Sequence, residues 1–200
     1  MSKFIGSLKD IYKPEILYDQ ILQMLNKNFT PFPTLITQRL CLRQLQITDD
    51  REIFTLRSDN EINKYLDRRM SNTIDDARDF INKITENINK NNSIYWAITL
   101  NGQNKLLGTI CLFGFSDNND KCEIGYELLT NFQGQGIMKE AAEKVIDYAF
   151  NVIMIKKIEA FFHRHNKASI NLLEKLWFTK CYAPNPADPA LIVYYLANPL

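Results

Sequence analysis

An abrupt change of hydrophobic period, at two glycines about two thirds of the way along the chain, most constrains how this sequence can fold. Through residues 122–129, apolar and polar side chains alternate, which is typical of a strand with one buried face. Beyond the second glycine, apolar residues recur at helical spacing, at Ile137, Ala141, Val145, Tyr148, Ala149 and Val152. The intervening residues 133–136, which we call the glycine turn, therefore predict a tight connection from a strand to a helix.

The glycine turn has the properties of an anion site. Gly134 and Gly136 can adopt positive φ and carry no Cβ, so the backbone amides around them could surround an oxyanion. The start of the following helix also favours negative charge. A plain connecting turn would explain a lone G-x-G equally well. A dinucleotide-binding loop is not expected, because its G-x-G-x-x-G pattern needs a third glycine where this sequence has Lys139. A phosphate group is the expected guest.

The rest of the pattern predicts a mixed α/β domain in which an antiparallel meander precedes the glycine turn. The Asn101-Gly102 pair between two apolar runs is a strong hairpin signal. Strands are predicted at 39–45, 94–100, 106–113, 122–129, 157–162, 178–183 and 190–197, and helices after Thr48, Thr73, Gly136 and Asn166. Residues 58–72 are predicted to be a loose polar loop.

The first part of the chain is predicted to be separate from this domain. Apolar residues between positions 11 and 25 fall on one helical side, and Thr30-Pro31-Phe32-Pro33 then breaks the helix. We therefore expect an amphipathic helical extension at 1–33 and one domain at 34–200. The extension could cover its own domain, cover a substrate or mediate a homodimer, and the sequence leaves these alternatives open.

The composition is that of an ordinary globular protein, with 46% hydrophobic and 24% charged residues and a net charge of +1. This balance gives no indication of a nucleic acid partner. No run of residues approaches the roughly 20 apolar positions that a membrane span needs, and no secretory signal is visible. We therefore expect no membrane partner and a cytoplasmic location.

Neither the cysteines nor the histidines predict a metal site. Four cysteines occur without a C-x-x-C pair, at Cys41, Cys111, Cys122 and Cys181. In predicted strands such residues usually act as small buried hydrophobes. His163 and His165 share one side of a strand end, but the sequence offers no third ligand within reach.

Four segments, taken in order, resemble one protein family. Residues 37–43, Thr-Gln-Arg-Leu-Cys-Leu-Arg, are similar to the T-x-R-L-x-L-R opening of the GNAT N-acetyltransferases, in the branch that includes the ribosomal-protein N-terminal acetyltransferases. Residues 123–126, 133–141 and 166–178 resemble that branch's E-I-G-Y, Q-G-x-G-I-M-x-E-A and N-x-x-S-x-x-x-x-E-K-L-G-F motifs. The resemblance runs from about residue 34 to residue 196.

This resemblance implies a GNAT-type three-layer fold that binds acetyl-CoA. Its twisted mixed sheet would begin as an antiparallel meander and end in splayed parallel strands, with helices on both faces. The pantetheine arm would pair with the strand edge, and the pyrophosphate would sit on amides at the start of the helix. The residues implied in binding are Leu128, Leu129, Thr130, Gln133, Gly134, Gln135, Gly136, Ile137, Met138, Lys139, Asn166 and Ser169.

The resemblance also implies candidates for proton transfer. Glu123 and Glu127 lie on one strand face but about 13 Å apart, so at most one of them can be the general base. Ser169 would return a proton to the leaving thiolate, because Leu173 stands where many GNAT enzymes carry a tyrosine acid. A backbone amide near Leu129 would hydrogen-bond the developing oxyanion. Trp177 replaces the family's glycine at the helix end.

The expected function is therefore an N-acetyltransferase that moves an acetyl group from acetyl-CoA to a primary amine by direct attack in a ternary complex. The acceptor could be a peptide or protein N-terminus or a small-molecule amine. Because the tyrosine acid and the glycine are missing, a catalytically silent GNAT-like module that binds acyl-CoA or a partner protein stays open as the alternative.

Overall fold

The computed structural model describes residues 27–118, 120–182, 188 and 190–199. Their strands are β1 (Leu35–Ile36), β2 (Leu40–Gln44), β3 (Ile94–Leu100), β4 (Gly108–Phe113), β5 (Lys121–Leu128), β6 (Lys157–His163), β7 (Thr179–Cys181) and β8 (Leu191–Ala197). The α-helices are α1 (Asp50–Ser58), α2 (Asn60–Asn63), α3 (Ile74–Asn89), α4 (Ile137–Asn151) and α5 (Lys167–Lys175). Short 3-10 helices occupy Ile47–Asp49 and Thr130–Phe132.

The strands form one mixed sheet in the order β1-β2-β3-β4-β5-β6-β8-β7. The first five strands are antiparallel neighbours, β5 and β6 are parallel, and β8 lies antiparallel between β6 and β7. The parallel pair follows from the connection through α4, since a helical crossover returns the chain in the same direction. The predicted meander followed by parallel strands is confirmed.

Helices cover both faces of the sheet, as predicted. The adjacent β3 residues Tyr95 and Trp96 point to opposite faces. Tyr95 packs edge-on against Phe80 of α3, with ring centroids 5.7 Å apart, and Trp96 packs edge-on against Tyr148 of α4 at 5.6 Å. Trp96 is fully buried and is one of the largest side chains in the core. The chain is therefore a three-layer α/β protein with α3 and α4 on opposite sides.

Local sequence signals form the structures that they predicted. The Thr73 side chain accepts a hydrogen bond from the Asp76 amide and Asp76 caps Thr73 in return, which begins α3. Gly102 in the β3–β4 hairpin has φ of 74°, and the Asn166 side chain caps α5. The four cysteines are free and lie on strands β2, β4, β5 and β7.

The predicted loose loop at 58–72 is wrong in its first half. The Asp59 carboxylate accepts hydrogen bonds from the amides of Glu61 and Ile62, and these caps begin the short helix α2. Asn63, at the end of α2, is buried and donates hydrogen bonds to the carbonyls of Leu56 and Asp59. The segment is thus fixed to the end of α1.

Most of the predicted extension at 1–33 lies outside the described residues, as does most of the loop at 184–189. The described part, residues 27–33, packs on the domain. Phe29 is buried, and the Phe32 ring packs edge-on against Trp96. The indole nitrogen of Trp96 donates a hydrogen bond to the carbonyl of Pro33 at 2.8 Å.

Trp177 follows α5 in the left-handed conformation, with φ of 65° and 84% of its surface exposed. The family's glycine position is therefore retained in backbone conformation but filled by an indole that makes little contact. A left-handed conformation costs a residue with a Cβ about 1–2 kcal/mol. Nothing in the described residues offsets that cost through burial.

Replacing Trp177 by glycine should raise the stability of the fold. Relief of the left-handed strain, less the added chain entropy of glycine, should raise the free energy of unfolding by about 0.5–1 kcal/mol. For a chain of this size, that amounts to a Tm increase of about 1–4 °C in a thermal melt. Trp177→Ala is the control, since it removes the indole and keeps the strain. An equal gain in both variants would mean that strain is not the cause.

Candidate active site

β5 and β6 share only three residue pairs before they diverge. Lys121, Cys122 and Glu123 pair with Lys157, Ile158 and Glu159. Beyond them β5 stays paired with β4 as far as Leu128, while β6 stays paired with β8 as far as His163. A wedge, which we call the splay, therefore opens between the ends of the two strands. This is where the sequence predicted the pantetheine arm.

The backbone at the end of β5 corrects one expectation. The amide of Leu129 donates a hydrogen bond to the carbonyl of Leu107 at 2.9 Å, so it is not available to an oxyanion. Backbone groups of successive strand residues point to opposite sides, so the N–H of Leu128 is directed towards the splay. The carbonyl of Leu128 accepts from the side-chain amide of Gln133 at 3.0 Å. Leu128 thus takes the place expected of Leu129.

The glycine turn has the backbone conformation that an anion site needs. Gly134 and Gly136 have φ of 74° and 76°. Side chains cap the starts of α2, α3 and α5, but the residue at the cap position of α4 is Gly136, which has no side chain to do so. The first amides of α4, at 137–139, therefore have no partner within the helix and no cap. A phosphate fits this helix start.

Glu140 fixes the glycine turn to the opening motif of the domain. Its carboxylate accepts hydrogen bonds from the Thr37 hydroxyl at 2.6 Å, the Arg39 amide at 2.9 Å and the Arg39 side chain at 2.6 Å. Arg39 also donates to the carbonyl of Gln135 at 3.2 Å. Although burial opposes it, these hydrogen bonds lower the pKa of Glu140. The contact joins two motif segments that are about 100 positions apart in the chain.

A groove of about 630 Å³ runs beside this contact, along the first turns of α4. Its walls include Arg39, Gly136 and Lys139. The Lys139 ammonium pairs with Glu143 one turn further along α4. The groove is therefore continuous with the helix start, and its lining cations are paired with lining carboxylates, so its affinity for an anion comes from the helix start rather than from net charge.

The two candidate carboxylates occupy opposite ends of β5. Glu123 belongs to the last β5–β6 pair, opposite Glu159, at the closed end of the splay. Burial, followed by the charge of Glu159, raises its pKa. Glu127 lies at the open end, on the same strand face. Only Glu127 is therefore near the predicted reaction centre.

Glu127 forms a two-bond ion pair with Arg68. The two terminal nitrogens of Arg68 donate to the two carboxylate oxygens at 2.8 and 2.5 Å, and both side chains are mostly buried, at 20% and 11% exposure. The third Arg68 donor, Nε, binds the side-chain oxygen of Asn63 at 2.7 Å. Sequence reasoning missed Arg68, although Asp59 as a cap was a signal that this segment is ordered.

A tyrosine that sequence reasoning also missed meets Ser169 on the other face of the sheet. The Ser169 side chain is buried, and its amide donates to the side chain of Asn166 at 3.1 Å. Burial raises the pKa of Tyr126 to about 12, and a hydrogen bond with Ser169 partly opposes that rise. Tyr126 follows Gly125 in the E-I-G-Y motif, which was the available signal.

His163 is the last residue of β6, at the open end of the splay. Its ring stacks on Tyr65 from the segment after α2, with centroids 5.3 Å apart and planes 16° from parallel.

In the part of the chain that the structure describes, no three His, Cys, Asp or Glu side chains are grouped as metal ligands. Within the same residues, no helix is long and apolar enough to cross a membrane.

Comparison with known proteins agrees with this geometry. Residues 39–179 match the family described as the acetyltransferase (GNAT) domain. The chain is 34% identical over 148 residues to the uncharacterized N-acetyltransferase p20 of Bacillus licheniformis, which covers 74% of this chain and 83% of that protein. The chain belongs to the GNAT acetyltransferase family. It is also 31% identical over 149 residues to the uncharacterized N-acetyltransferase YoaA of Bacillus subtilis, with 74% and 84% covered.

Solved structures of this fold include RimL, described as a ribosomal L7/L12 alpha-N-protein acetyltransferase, in complex with coenzyme A. Its TM-score is 0.72 at 19% identity, with 82% of this chain and 98% of that chain covered. The microcin C7 self-immunity acetyltransferase MccE, in complex with acetyl-CoA and AMP, has a TM-score of 0.69 at 23% identity, with 81% and 94% covered. At these identities, the comparison supports the fold.

This GNAT protein is an acetyl-CoA-dependent N-acetyltransferase that transfers an acetyl group to an amine acceptor. The alternative of a silent acyl-CoA-binding module is not favoured. Leu128, the glycine turn and the first turn of α4 fit the coenzyme, since the glycines leave the helix start uncovered.

Replacing Gly134 by valine should weaken acetyl-CoA binding at least about tenfold, because a side chain would enter the phosphate cradle. Gly102→Val is a matched control. Both glycines have φ of 74°, and an added Cβ at either would meet no atom within 4 Å. Both variants should therefore lose about 1–2 kcal/mol of stability through the same strain. Calorimetric titration and thermal melts measure the two effects. Equal affinities in the two variants would place the phosphates elsewhere.

Proposed function

We propose that this GNAT enzyme acetylates an α-amino group, on a free amino acid or a peptide N-terminus, rather than a lysine side chain. The observation that supports the proposal is the engagement of both Glu127 oxygens by Arg68. Because Arg68 already donates to both oxygens, an ammonium group would have to compete with Arg68 for this carboxylate. The α-amine of a peptide N-terminus, with a pKa near 8, needs less help to become neutral than a lysine near 10.4, and that of a free amino acid lies between the two.

Glu127 acts as an acceptor for protons that leave the amine through water. Each of its oxygens retains a lone pair after accepting from Arg68, and that position can bind a water at the splay. Arg68 in turn holds the carboxylate in place, with Asn63 fixing Arg68 from behind. Glu123, at the closed end of the splay, takes no part in this transfer.

The coenzyme and three further residues complete the reaction. Bound acetyl-CoA supplies the activated thioester. The N–H of Leu128 donates to the carbonyl oxygen as it gains charge. Tyr126 and Ser169 return a proton to the departing sulfur, and the phenol is available in its protonated form because burial raises the pKa of Tyr126 to about 12.

The deciding experiment measures thiol release from acetyl-CoA with a panel of amines: free amino acids, short peptides with free N-termini, polyamines, and peptides blocked at the N-terminus that contain lysine. Activity should be confined to acceptors with an α-amine. Glu127→Gln should lower kcat about 10²-fold, at the low end for a general base, because the proton reaches Glu127 only through water.

Glu123→Gln is the matched control on the same strand face. Its kcat should stay within about twofold of the wild-type value. Its Tm should be unchanged or higher, because burial and Glu159 disfavour the charge that the variant removes. Efficient acetylation of N-terminally blocked lysine peptides would overturn the choice of acceptor. Unchanged turnover in both variants would exclude a carboxylate from the mechanism.

Tyr126→Phe and Ser169→Ala should each lower kcat about tenfold, with little change in acetyl-CoA affinity. The reduction is modest because a thiol near pKa 8.5 leaves readily without protonation. If the two hydroxyls form one proton path, the double variant should lose no more activity than either single variant. Tyr148→Phe, another buried phenol whose pKa is about 12, is the control and should keep full turnover. If the losses of the two single variants add in the double variant, the two hydroxyls act independently.

A further inference from the structure

Arg57, in the last turn of α1, is a half-buried cation without a hydrogen-bond partner in the described part of the chain. Its guanidinium carbon lies 4.0 Å from the centre of the Phe80 ring, so the ring holds one face of the guanidinium. Its Nε is buried and unpaired. Its backbone carbonyl, by contrast, accepts from the amide of Ser71 at 3.0 Å, which fixes the position of the residue.

The charges around Arg57 do not balance. Arg68 and Glu127 neutralise each other in their two-bond pair, so Arg57 adds one uncompensated positive charge. Burial lowers the pKa of Arg57, the charge of Arg68 lowers it further, and Glu127 only partly opposes them. Two guanidinium groups therefore lie near one carboxylate, that of Glu127 at the open end of the splay. We call these three side chains the acceptor pocket.

We infer that Arg57 is an acceptor-binding residue that holds a carboxylate close to the amine to be acetylated. The inference rests on the proposed α-amine function and adds that the acceptor carries a negative charge near its amine. The fork of an arginine suits a carboxylate, and the face fixed on Phe80 leaves its edge for the ligand. The carboxylate is either the α-carboxylate of a free amino acid or an acidic side chain next to a peptide N-terminus.

The free enzyme bears a cost that such a ligand relieves. Burying an unpaired polar or charged group is unfavourable, and a buried N–H without an acceptor adds to this. A core that only needed an apolar contact with Phe80 would be served as well by a methionine. A half-buried guanidinium at this place, with no protein acceptor among the described residues, is explained by a ligand that pairs with its terminal nitrogens.

The test uses acceptor pairs that differ only in the carboxylate: alanine against alaninamide, and the peptide amides Ala-Asp-Ala against Ala-Asn-Ala. The preference, the ratio of kcat/KM within a pair, is compared between wild type and Arg57→Gln. Intrinsic differences in amine reactivity cancel in that comparison. In the variant, the preference for the carboxylate member should fall about tenfold, mainly through KM. The pair that responds identifies the source of the carboxylate.

Arg51→Gln is the charge-matched control. Arg51 lies on the same helix but is exposed, so its removal changes the net charge equally without altering the pocket. It should keep the wild-type preference. Arg57→Gln should fold with a Tm equal to or above that of wild type, since it removes an unpaired buried donor. The same preference in wild type and Arg57→Gln, for both pairs, would overturn the inference while leaving the proposed function in place.

A second readout does not depend on turnover. N-acetylalanine, which carries the carboxylate and mimics the product, should raise the Tm of wild type and leave that of Arg57→Gln unchanged, while N-acetylalaninamide should have no effect on either. If no amine is acetylated at all, the proposed function fails, and this measurement still decides whether Arg57 binds a carboxylate. Equal shifts with both N-acetyl compounds would exclude it.

Discussion

The short β5–β6 ladder is the constraint on which the site depends. Because β5 is bonded to β4 and β6 to β8 along their lengths, the two strands can separate after Glu123 without losing their other partners. The separation leaves the N–H of Leu128 directed into the splay, and a buried backbone donor needs an acceptor. A ligand with its own amide groups, such as the pantetheine arm of acetyl-CoA, can continue the ladder. In that arrangement the coenzyme would take the place of a further strand between β5 and β6.

Much of the fold could be predicted because its signals are local. The Thr73 capping box, the Asn101-Gly102 hairpin and the cap of α5 each depend on residues a few positions apart. The glycine turn belongs to the same class, because positive φ at Gly134 and Gly136 is a property of the residue type. The period of β5 likewise showed that Glu123 and Glu127 share a face.

What the sequence could not show depends on distant contacts. Arg68 and Glu127 are 59 positions apart, and nothing in either segment specifies the other. The period of a strand shows which face a carboxylate lies on, but only the register with β6 shows which end of the splay it occupies. The pairing of the Leu129 amide with Leu107 is likewise a matter of register. Helix α2 was missed because a single turn has no hydrophobic period.

The acceptor pocket has two arginines for one carboxylate, and this excess of positive charge allows the enzyme to discriminate between charged and neutral acceptors. Arg68 occupies both oxygens of Glu127, which favours an amine that is easily neutral. The Arg57 guanidinium has no hydrogen-bond partner among the described residues, which favours an acceptor that brings its own anion. The unpaired cation destabilises the free enzyme, and only an acceptor with a carboxylate removes that destabilisation when it binds. A neutral acceptor therefore gains no affinity from Arg57. A second protein carboxylate beside Arg57 would stabilise the free enzyme, and for that reason it would remove the discrimination between charged and neutral acceptors.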